Sequence, residues 1–306
     1  MIIDSHQHAF WQNRDDAGLT ADLDEQGIDL AWLLTWEVTR NETRENRHNW
    51  YENLNPLNLN PDGTHAGVTL RDVLIAREHF PDRYIVGYCP HPLVGNAADL
   101  FLAAHEMYNV RVCGEWKFRM LFDDPRCLEL YRAAGACRAP VVLHLDVPYL
   151  PDDEGKATYF ERWYGGTVLN VERALQACPE TNFIGHAPGF WREISGDADG
   201  QPGTRPRLPV KQGGRLYRLF DEYPNLHADI SATSGLNAFE RDIEHARNFV
   251  IRYADRLLFG RDQYGSDHQT LINSLGLPES VSRKLFYTNA NKLVPLETER
   301  EQQLSV

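Results

Sequence analysis

Short apolar runs alternate with amphipathic stretches through most of the sequence. A short apolar run bounded by turn residues is typical of a buried β-strand, whereas apolar positions three and four apart are typical of a helix. The runs predict strands over residues 2–6, 30–36, 84–88, 110–116, 141–145, 182–185, 226–230 and 257–259. Between most of them, amphipathic patterns predict helices over residues 19–26, 70–80, 97–107, 127–137, 171–177, 216–222 and 239–253.

The repeated order of strand and helix predicts the fold class. A strand followed by a helix, repeated along the chain, is typical of parallel strands joined by crossover helices. Eight such strands predict an α/β fold: a single (β/α)8 TIM barrel with its active site at the carboxyl ends of the strands. An open doubly wound sheet is the alternative, but no glycine-rich phosphate loop follows the first predicted strand.

The length of the chain is compatible with one domain. A barrel of this kind takes about 250 residues, so 306 residues would hold a single domain over 1–306 with modest insertions. Two smaller domains would also fit this length. Three long polar connections, residues 38–68, 147–168 and 189–212, would follow strands two, five and six of the barrel. We expect these long βα loops to lie over the carboxyl-terminal face and to carry substrate specificity.

Charge and cysteine content argue against several classes of protein. The formal net charge of −13 argues against nucleic-acid binding, which needs clustered lysine and arginine. The N-terminus shows no basic-plus-apolar leader, and no apolar run approaches the roughly 18 residues that a membrane span requires. The five cysteines are scattered and odd in number, which suits buried thiols in a reducing compartment. We therefore expect a cytoplasmic protein with a small-molecule substrate and no nucleic-acid or membrane partner; a homo-oligomer is left open.

Ionisable residues cluster at the ends of the predicted strands. The first strand runs into His6 and His8, whose side chains point the same way on an extended segment, so both imidazoles can converge on one metal ion. Such a pair alone is weak evidence, because most His-x-His pairs are incidental. Further groups follow the other strands: Glu115, Lys117, His144, His186 and Asp262. The whole set predicts a catalytic metal site, because each group buried only for packing would need its own partner.

Several motifs, in order along nearly the whole chain, carry a resemblance to a known family. The motifs are Ile3-Asp4-Ser5-His6-Gln7-His8, Gly114-Glu115, Leu143-His144, Ile184-Gly185-His186, Leu258-Phe259-Gly260-Arg261-Asp262 and Asn289-Ala290-Asn291-Lys292-Leu293. With them the sequence resembles the amidohydrolase superfamily, specifically its amidohydrolase-related branch of lactonases, hydrolases and metal-dependent decarboxylases. The order of the motifs is specific for the fold, whereas the branch catalyses more than one reaction.

The resemblance implies a divalent metal, Zn or Mn, bound by the residues at the family's ligand positions: His6, His8, His144 and Asp262. One tightly held metal is expected, and a second is left open. His186 resembles either a ligand of a second metal or the histidine that polarises the substrate. Family members place a carboxylated lysine, a glutamate or no ligand on the fourth strand. Gly114-Glu115 matches the glutamate type, so Glu115 would be a further ligand, and Lys117 would bind an anion or pair with Glu115.

Two kinds of reaction are compatible with this resemblance. In the first, a metal-activated water attacks a small ring ester, with a lactone favoured, or an amide; Asp262 is the general base, and His186 or the metal stabilises the oxyanion. In the second, the same metal orients a small carboxylic acid for non-oxidative decarboxylation. A barrel that binds a ligand without chemistry is disfavoured, because every expected ligand position holds a ligating residue. An ion pair with Arg261 or another arginine is the alternative, structural role for Asp262.

Aromatic and cationic residues near the strand ends are candidates for substrate contact. Aromatic walls with a few fixed polar groups are usual in small-molecule pockets, which indicates Trp11, Trp36, Phe190 and Trp191. Packing of these rings between the loops and the barrel is an equally good explanation. A substrate carboxylate would suit a cationic side chain, which indicates Lys117, Arg119 and Arg192.

Overall fold

The computed structural model describes residues 1–39 and 54–296. Residues 40–53 of the predicted connection over residues 38–68 therefore lie outside the described residues. A strand is present at each of the eight predicted positions, and short antiparallel pairs are added in the connections. The strands are β1 Ile3–Gln7, β2 Leu30–Leu33, β3 Trp36–Glu37, β4 Gly67–Val68, β5 Tyr84–Val86, β6 Cys113–Trp116, β7 Val141–His144, β8 Tyr149–Pro151, β9 Ala157–Tyr159, β10 Phe183–His186, β11 Leu226–Ile230 and β12 Leu257–Phe259.

Helices follow most of the parallel strands. They are α1 Asp16–Glu25, α2 Leu70–His79, α3 Ala97–Tyr108, α4 Pro125–Ala136, α5 Val168–Ala177, α6 Pro188–Trp191, α7 Arg215–Glu222, α8 Ala232–Glu240, α9 Ile243–Arg252, α10 Asp267–Ser274, α11 Glu279–Arg283 and α12 Asn289–Leu293. Single turns of 3-10 helix cover Pro56–Asn58, Arg192–Ile194 and Ala198–Gly200, and a π-helical turn, Lys284–Thr288, joins α11 to α12. Within the described ranges, no helix is both long and apolar enough to span a membrane.

One predicted helix is wrong. Residues 239–253 do not form a single helix, because α8 ends at Glu240 and α9 begins at Ile243. The Asp242 side chain accepts a hydrogen bond from the backbone N–H of His245 and so caps the start of α9. A capping carboxylate at this position favours a new helix start over continuation of the previous helix.

The parallel strands form two sheets whose edges lie next to each other. The first sheet has the order β1-β2-β5, and the second has the order β12-β11-β10-β7-β6. Gly87, after β5, forms a parallel bridge with Val112, before β6. At the other pair of edges, the Ser5 hydroxyl donates to the carbonyl of Phe259 over 2.8 Å. Strands that follow one another in the chain are thus neighbours in space, and the last strand lies beside the first.

A small apolar cluster fills the space below the carboxyl ends of the strands. It includes Val142, Ile184 and Leu258, each fully buried. Side chains two apart on a strand share a face, so Val142 and Ile184 lie on the same face as His144 and His186. The polar strand ends therefore sit on a packed layer of apolar side chains.

Two long connections have local structure of their own. The connection over residues 147–168 contains the antiparallel pair β8–β9, with Tyr149 opposite Tyr159. The connection over residues 189–212 contains α6 and two 3-10 turns. Both follow parallel strands at their carboxyl ends, as the sequence predicts, and both contribute to the cavity described below.

Candidate functional site

The ionisable residues predicted at the strand ends meet in the interior of the protein. His6, His8, Glu115 and His186 are each no more than 2% exposed. The Asp262 side chain, just after β12, is 14% exposed. These five side chains lie at the carboxyl ends of four strands, β1, β6, β10 and β12, which the parallel order of the sheets brings together.

Two overlapping groups of side chains have the geometry of a metal site. His6, Glu115 and His186 form one group, and His6, His8 and Asp262 form the other; within each, one ligand atom per residue lies within 4.8 Å of the others. His8 Nε2 lies 3.5 Å from Asp262 Oδ1 and 3.6 Å from Glu115 Oε2. The two groups share His6, so they describe one cluster.

Four buried atoms in this cluster have no hydrogen-bond partner: His6 Nε2, His186 Nε2, Glu115 Oε2 and Asp262 Oδ1. A buried polar atom without a partner costs free energy. Here two imidazole nitrogens and two carboxylate oxygens leave lone pairs directed into the same small space. Nitrogen and carboxylate oxygen are ligands that Zn and related divalent cations accept, so the donor set fits such a metal.

His144, predicted as a ligand, lies beside this cluster with both ring nitrogens occupied. Its Nδ1 lies 2.5 Å from Glu115 Oε1, and its Nε2 lies 3.0 Å from Asp146 Oδ2. It does not belong to either group of candidate ligands. His144 would join the ligand set by exchanging one of its carboxylate partners for the metal.

Backbone and side-chain contacts hold the candidate ligands in place. The Nδ1 atom of His8 lies 2.9 Å from the carbonyl oxygen of Leu34. Asp262 has a φ of 49°, a left-handed conformation that is unusual for a residue other than glycine. Its backbone N–H donates to the carbonyl of His6 over 2.9 Å, which ties the Asp262 backbone to β1.

Arg261 does not pair with Asp262. Its guanidinium Nε donates to Asp4 Oδ2 and its Nη1 donates to Asp22 Oδ2, both over 2.7 Å. Arg261 is fully buried, and its pairing with two acids on other elements fixes the segment after β12. The Asp262 carboxylate is thus left to face the candidate ligands.

Asp229 on β11 was not predicted from the sequence, yet it contacts two of the candidate ligands. Its Oδ2 lies 2.9 Å from His6 Nδ1, and its Oδ1 lies 2.9 Å from His186 Nδ1. An acid inside the strand Leu226–Ile230, two residues after His227, was the available signal. Strand position alone did not distinguish it from an exposed residue.

Charge inside the cluster is balanced by close contacts. Burial would raise the pKa of Glu115, but Lys117 and His144 hold it well below its usual value. Burial likewise opposes the charge of Asp229, but His186 and His6 lower the pKa of its carboxyl. For His6, burial is outweighed by Asp229, which raises the pKa to about 9. Both acids therefore favour the ionised form, so the cluster offers carboxylate oxygens where a cation would bind.

A cavity of about 380 Å³ opens above the cluster. His144, His186 and Asp262 contribute to its lining, which places the candidate chemistry at its floor. The two connections over residues 147–168 and 189–212 supply part of its walls, including Phe160, Arg162, Tyr164, Thr204 and Arg205. Arg162 and Arg205 were not singled out in the sequence, because arginines in polar loops carry no pattern that separates them from solvated ones.

Trp11 and Lys117 line this cavity, as does Trp36. The Lys117 ammonium lies 4.1 Å from the centre of the Trp36 ring and 5.7 Å from that of Tyr164. Cations are attracted to aromatic faces at such distances. The ammonium is thus held at the cavity wall between two rings.

Trp191 and Arg119 are not part of the cavity lining. The expectation that Trp191 faces the mouth is wrong: its ring is 1% exposed and packs 4.9 Å from the centre of Phe239. The chain enters α6 directly after β10, and this turn directs Trp191 into the core. Arg119 instead donates to the hydroxyl of Tyr159 over 2.9 Å.

Arg192 and Phe190 also have structural roles. Arg192 is 4% exposed, and its guanidinium donates to the carbonyls of Gln201 and Gly203 within its own connection. The Phe190 ring packs over Gly185, where an added Cβ would lie only 2.1 Å from a ring carbon. Packing thus accounts for both residues.

Comparison with known proteins gives matches in solved structures alone. No protein-family model and no curated protein matches the sequence. An uncharacterised TIM-barrel protein from Bordetella bronchiseptica is 14% identical, with a TM-score of 0.57, over 91% of this chain and 82% of that chain. A probable 2-pyrone-4,6-dicarboxylic acid hydrolase from Acinetobacter baumannii, solved with citric acid, is 12% identical. The match has a TM-score of 0.51 and covers 95% of this chain and 98% of that chain.

A third match is a 5-carboxyvanillate decarboxylase from Novosphingobium aromaticivorans, solved with manganese and 4-hydroxy-3-methoxy-5-nitrobenzoic acid. It is 16% identical, with a TM-score of 0.52, over 91% of this chain and 79% of that chain. Likeness at such identities shows the fold alone. The chain therefore has a fold similar to that of these proteins, the first of which is a TIM-barrel protein.

Proposed function

We propose that this protein is a metal-dependent hydrolase of the amidohydrolase type, acting on a small ring ester, with a lactone favoured, or on an amide. The observation that carries the proposal is the convergence of unpartnered imidazole nitrogens and carboxylate oxygens at the floor of a cavity.

We further propose that the two parallel sheets close into a single (β/α)8 barrel. The contacts between β5 and β6 and between β1 and β12 support that closure.

We propose His6, His8, His186, Glu115 and Asp262 as the ligands of a divalent metal, with Zn or Mn favoured. His6 belongs to both candidate groups and offers one Nε2 lone pair, which supports a single tightly held ion; a second metal stays open. The manganese bound in the decarboxylase of similar fold is consistent with this choice. When bound, such a metal supplies Lewis acidity that polarises a carbonyl and makes water more acidic.

The chain's own residues would supply proton transfer and orientation. The Asp262 carboxylate borders the cavity, where it can accept a proton from water and return it to the leaving group. His186 also borders the cavity. In the alternative in which its Nε2 does not bind the metal, a protonated Nε2 would donate to a negatively charged substrate oxygen. Lys117 would bind a substrate carboxylate, and Trp11 and Trp36 would form the walls against a planar ring.

Decarboxylation is the alternative reaction at the same site. Three cationic side chains, Lys117, Arg162 and Arg205, line the cavity, and this charge suits a small carboxylic acid. The matched structures include both a hydrolase and a decarboxylase, so the shared fold is compatible with either chemistry. Hydrolysis consumes water and releases a proton from a lactone, whereas decarboxylation releases CO2.

Metal analysis followed by a substrate screen tests the proposal. Purified protein would be loaded with Zn or Mn and assayed against lactones, cyclic amides and aromatic acids, with proton release, a new free amino group and CO2 release as separate readouts. We expect proton release from a lactone, or a free amino group from a cyclic amide, whose hydrolysis gives a carboxylate and an ammonium and releases no net proton. The double variant His6→Ala, His8→Ala should give neither. Release of CO2 without hydrolysis would replace the hydrolase proposal by the decarboxylase. A wild-type protein that retains no divalent metal would contradict both.

A further inference from the structure

The carboxylate of Asp229 contacts two candidate ligands at once. Its Oδ2 lies 2.9 Å from His6 Nδ1 and its Oδ1 lies 2.9 Å from His186 Nδ1. His6 is on β1 and His186 is on β10, and their ring centres are 4.2 Å apart. One fully buried side chain on β11 therefore connects imidazoles from two other strands.

These contacts determine which nitrogen of each imidazole faces the cluster. An ionised carboxylate can only accept hydrogen bonds. The Ser231 hydroxyl also lies 2.8 Å from His186 Nδ1, but its single proton is donated to Asp229 Oδ1. Each Nδ1 atom therefore carries the proton that it donates to Asp229. The lone pair of a neutral ring is then on Nε2. In both His6 and His186, Nε2 is the buried atom that lacks a partner and lies in the candidate metal cluster.

Asp229 is itself held from two sides. The indole N–H of Trp191 donates to its backbone carbonyl over 3.1 Å. The hydroxyl of Ser231 donates to its Oδ1 over 2.5 Å. Because Trp191 is packed in the aromatic core against Phe239, the backbone at Asp229 has little freedom to move. The carboxylate is thus fixed before any ligand arrives.

We propose that Asp229 is a positioning residue that fixes His6 and His186 together as Nδ1–H tautomers, and that Trp191 secures Asp229 for this role. The inference rests on the proposed metal-dependent function. Carboxylates that accept from metal-binding histidines orient the ring and increase its basicity as a ligand. Asp229 would do this for two ligands with one group, so a change at this residue would affect both at the same time.

Asp229→Asn tests the proposal with a side chain of the same shape. The carboxamide has one accepting oxygen and one donating nitrogen, so it cannot accept from both imidazoles. We expect the affinity for Zn, measured by competition with a chelator, to fall by about 10- to 100-fold. Ser231→Ala is the graded control, because its hydroxyl lies 2.8 Å from His186 Nδ1 and donates to Asp229 Oδ1, while Asp229 keeps its contacts with both imidazoles in this variant. We therefore expect a smaller loss of Zn affinity in Ser231→Ala than in Asp229→Asn. An Asp229→Asn variant that binds Zn as wild type does would overturn the proposal.

Nuclear magnetic resonance of the metal-free protein gives a second readout, independent of activity and metal binding. Ring ¹⁵N spectra of the wild type, recorded above the pKa of His6, should show both His6 and His186 protonated at Nδ1. Resonances would be assigned with His6→Gln and His186→Gln. A neutral His6 or His186 protonated at Nε2 would contradict the inference, even if Asp229→Asn failed to fold. If the wild type binds no metal but shows both Nδ1–H rings, the proposed function fails while the positioning role of Asp229 stands.

Discussion

The Nδ1 atom of His144 lies 2.5 Å from Oε1 of Glu115. Its other ring nitrogen lies 3.0 Å from Oδ2 of Asp146. His144 therefore differs from His6, whose Nε2 is buried without a partner at the centre of the candidate metal cluster. Two histidines that the sequence assigns the same role thus have different surroundings.

This difference predicts unequal losses of metal. We expect His6→Ala to lose most of the bound metal, because it removes a free lone pair from the cluster. His144→Ala should retain more, because it removes a partner of Glu115 instead. Elemental analysis of both variants after the same purification measures this. Equal and complete losses would place His144 among the ligands, as the sequence predicts.

Substitutions of Glu115 and Lys117 should have different effects on the metal content of the protein. Glu115→Gln removes an anionic ligand atom from the cluster, so we expect metal occupancy to fall. Lys117→Met removes an ammonium that lies 4.1 Å from the centre of the Trp36 ring at the cavity wall, so occupancy should be kept while KM for an anionic substrate rises. Full occupancy in Glu115→Gln with loss in Lys117→Met would point instead to a carboxylated lysine as the ligand.

Asp262→Asn should lower turnover at least about 100-fold, the typical contribution of a positioned acid–base group. The amide keeps the shape of the side chain but cannot accept a proton from water. Because Asp262 is also a proposed ligand, turnover must be expressed per metal bound. A variant with near-normal turnover per metal would remove Asp262 as the base and transfer that role to another group at the cavity floor.

The stability of the protein should fall with acid because of His227 on β11. Burial, assisted by Arg256 and Lys292, lowers the pKa of His227 to about 3. An unfolded histidine has a pKa of about 6.5. The unfolded chain therefore binds a proton below that pH while the native protein does not, so this contribution to stability is complete above the unfolded pKa and is lost as the pH falls.

The free energy of unfolding should thus decrease by up to about 1.4 kcal/mol per pH unit as the pH falls from about 6.5 towards 3, from this group alone. His227→Gln removes the titrating ring, so the difference in stability between variant and wild type should shift in favour of the variant over that range. Urea unfolding at a series of pH values measures both. A difference that does not change with pH would show that His227 is not buried as a neutral ring.

Much of the fold follows from local patterns in the sequence. A short apolar run such as Val141–His144 is typical of a buried strand. When such runs alternate with helices along the chain, parallel pairing of the strands is expected. The helix break at Asp242 was missed because a capping acid within an amphipathic pattern looks the same as a solvated one. The periodicity of apolar residues indicates which face of a helix is buried. It does not indicate which carboxylate accepts a hydrogen bond from a backbone N–H.

The candidate ligands at strand ends were also accessible from the sequence, since alternation along an extended chain puts His6 and His8 on one side. Only the tertiary structure decided what each side chain meets. Asp229 joins His6 to His186, His144 lies between Glu115 and Asp146, and Trp191 turns into the core. Each of these contacts depends on the register between strands and on side-chain packing across distant segments, and neither quantity is encoded in the order of neighbouring residues.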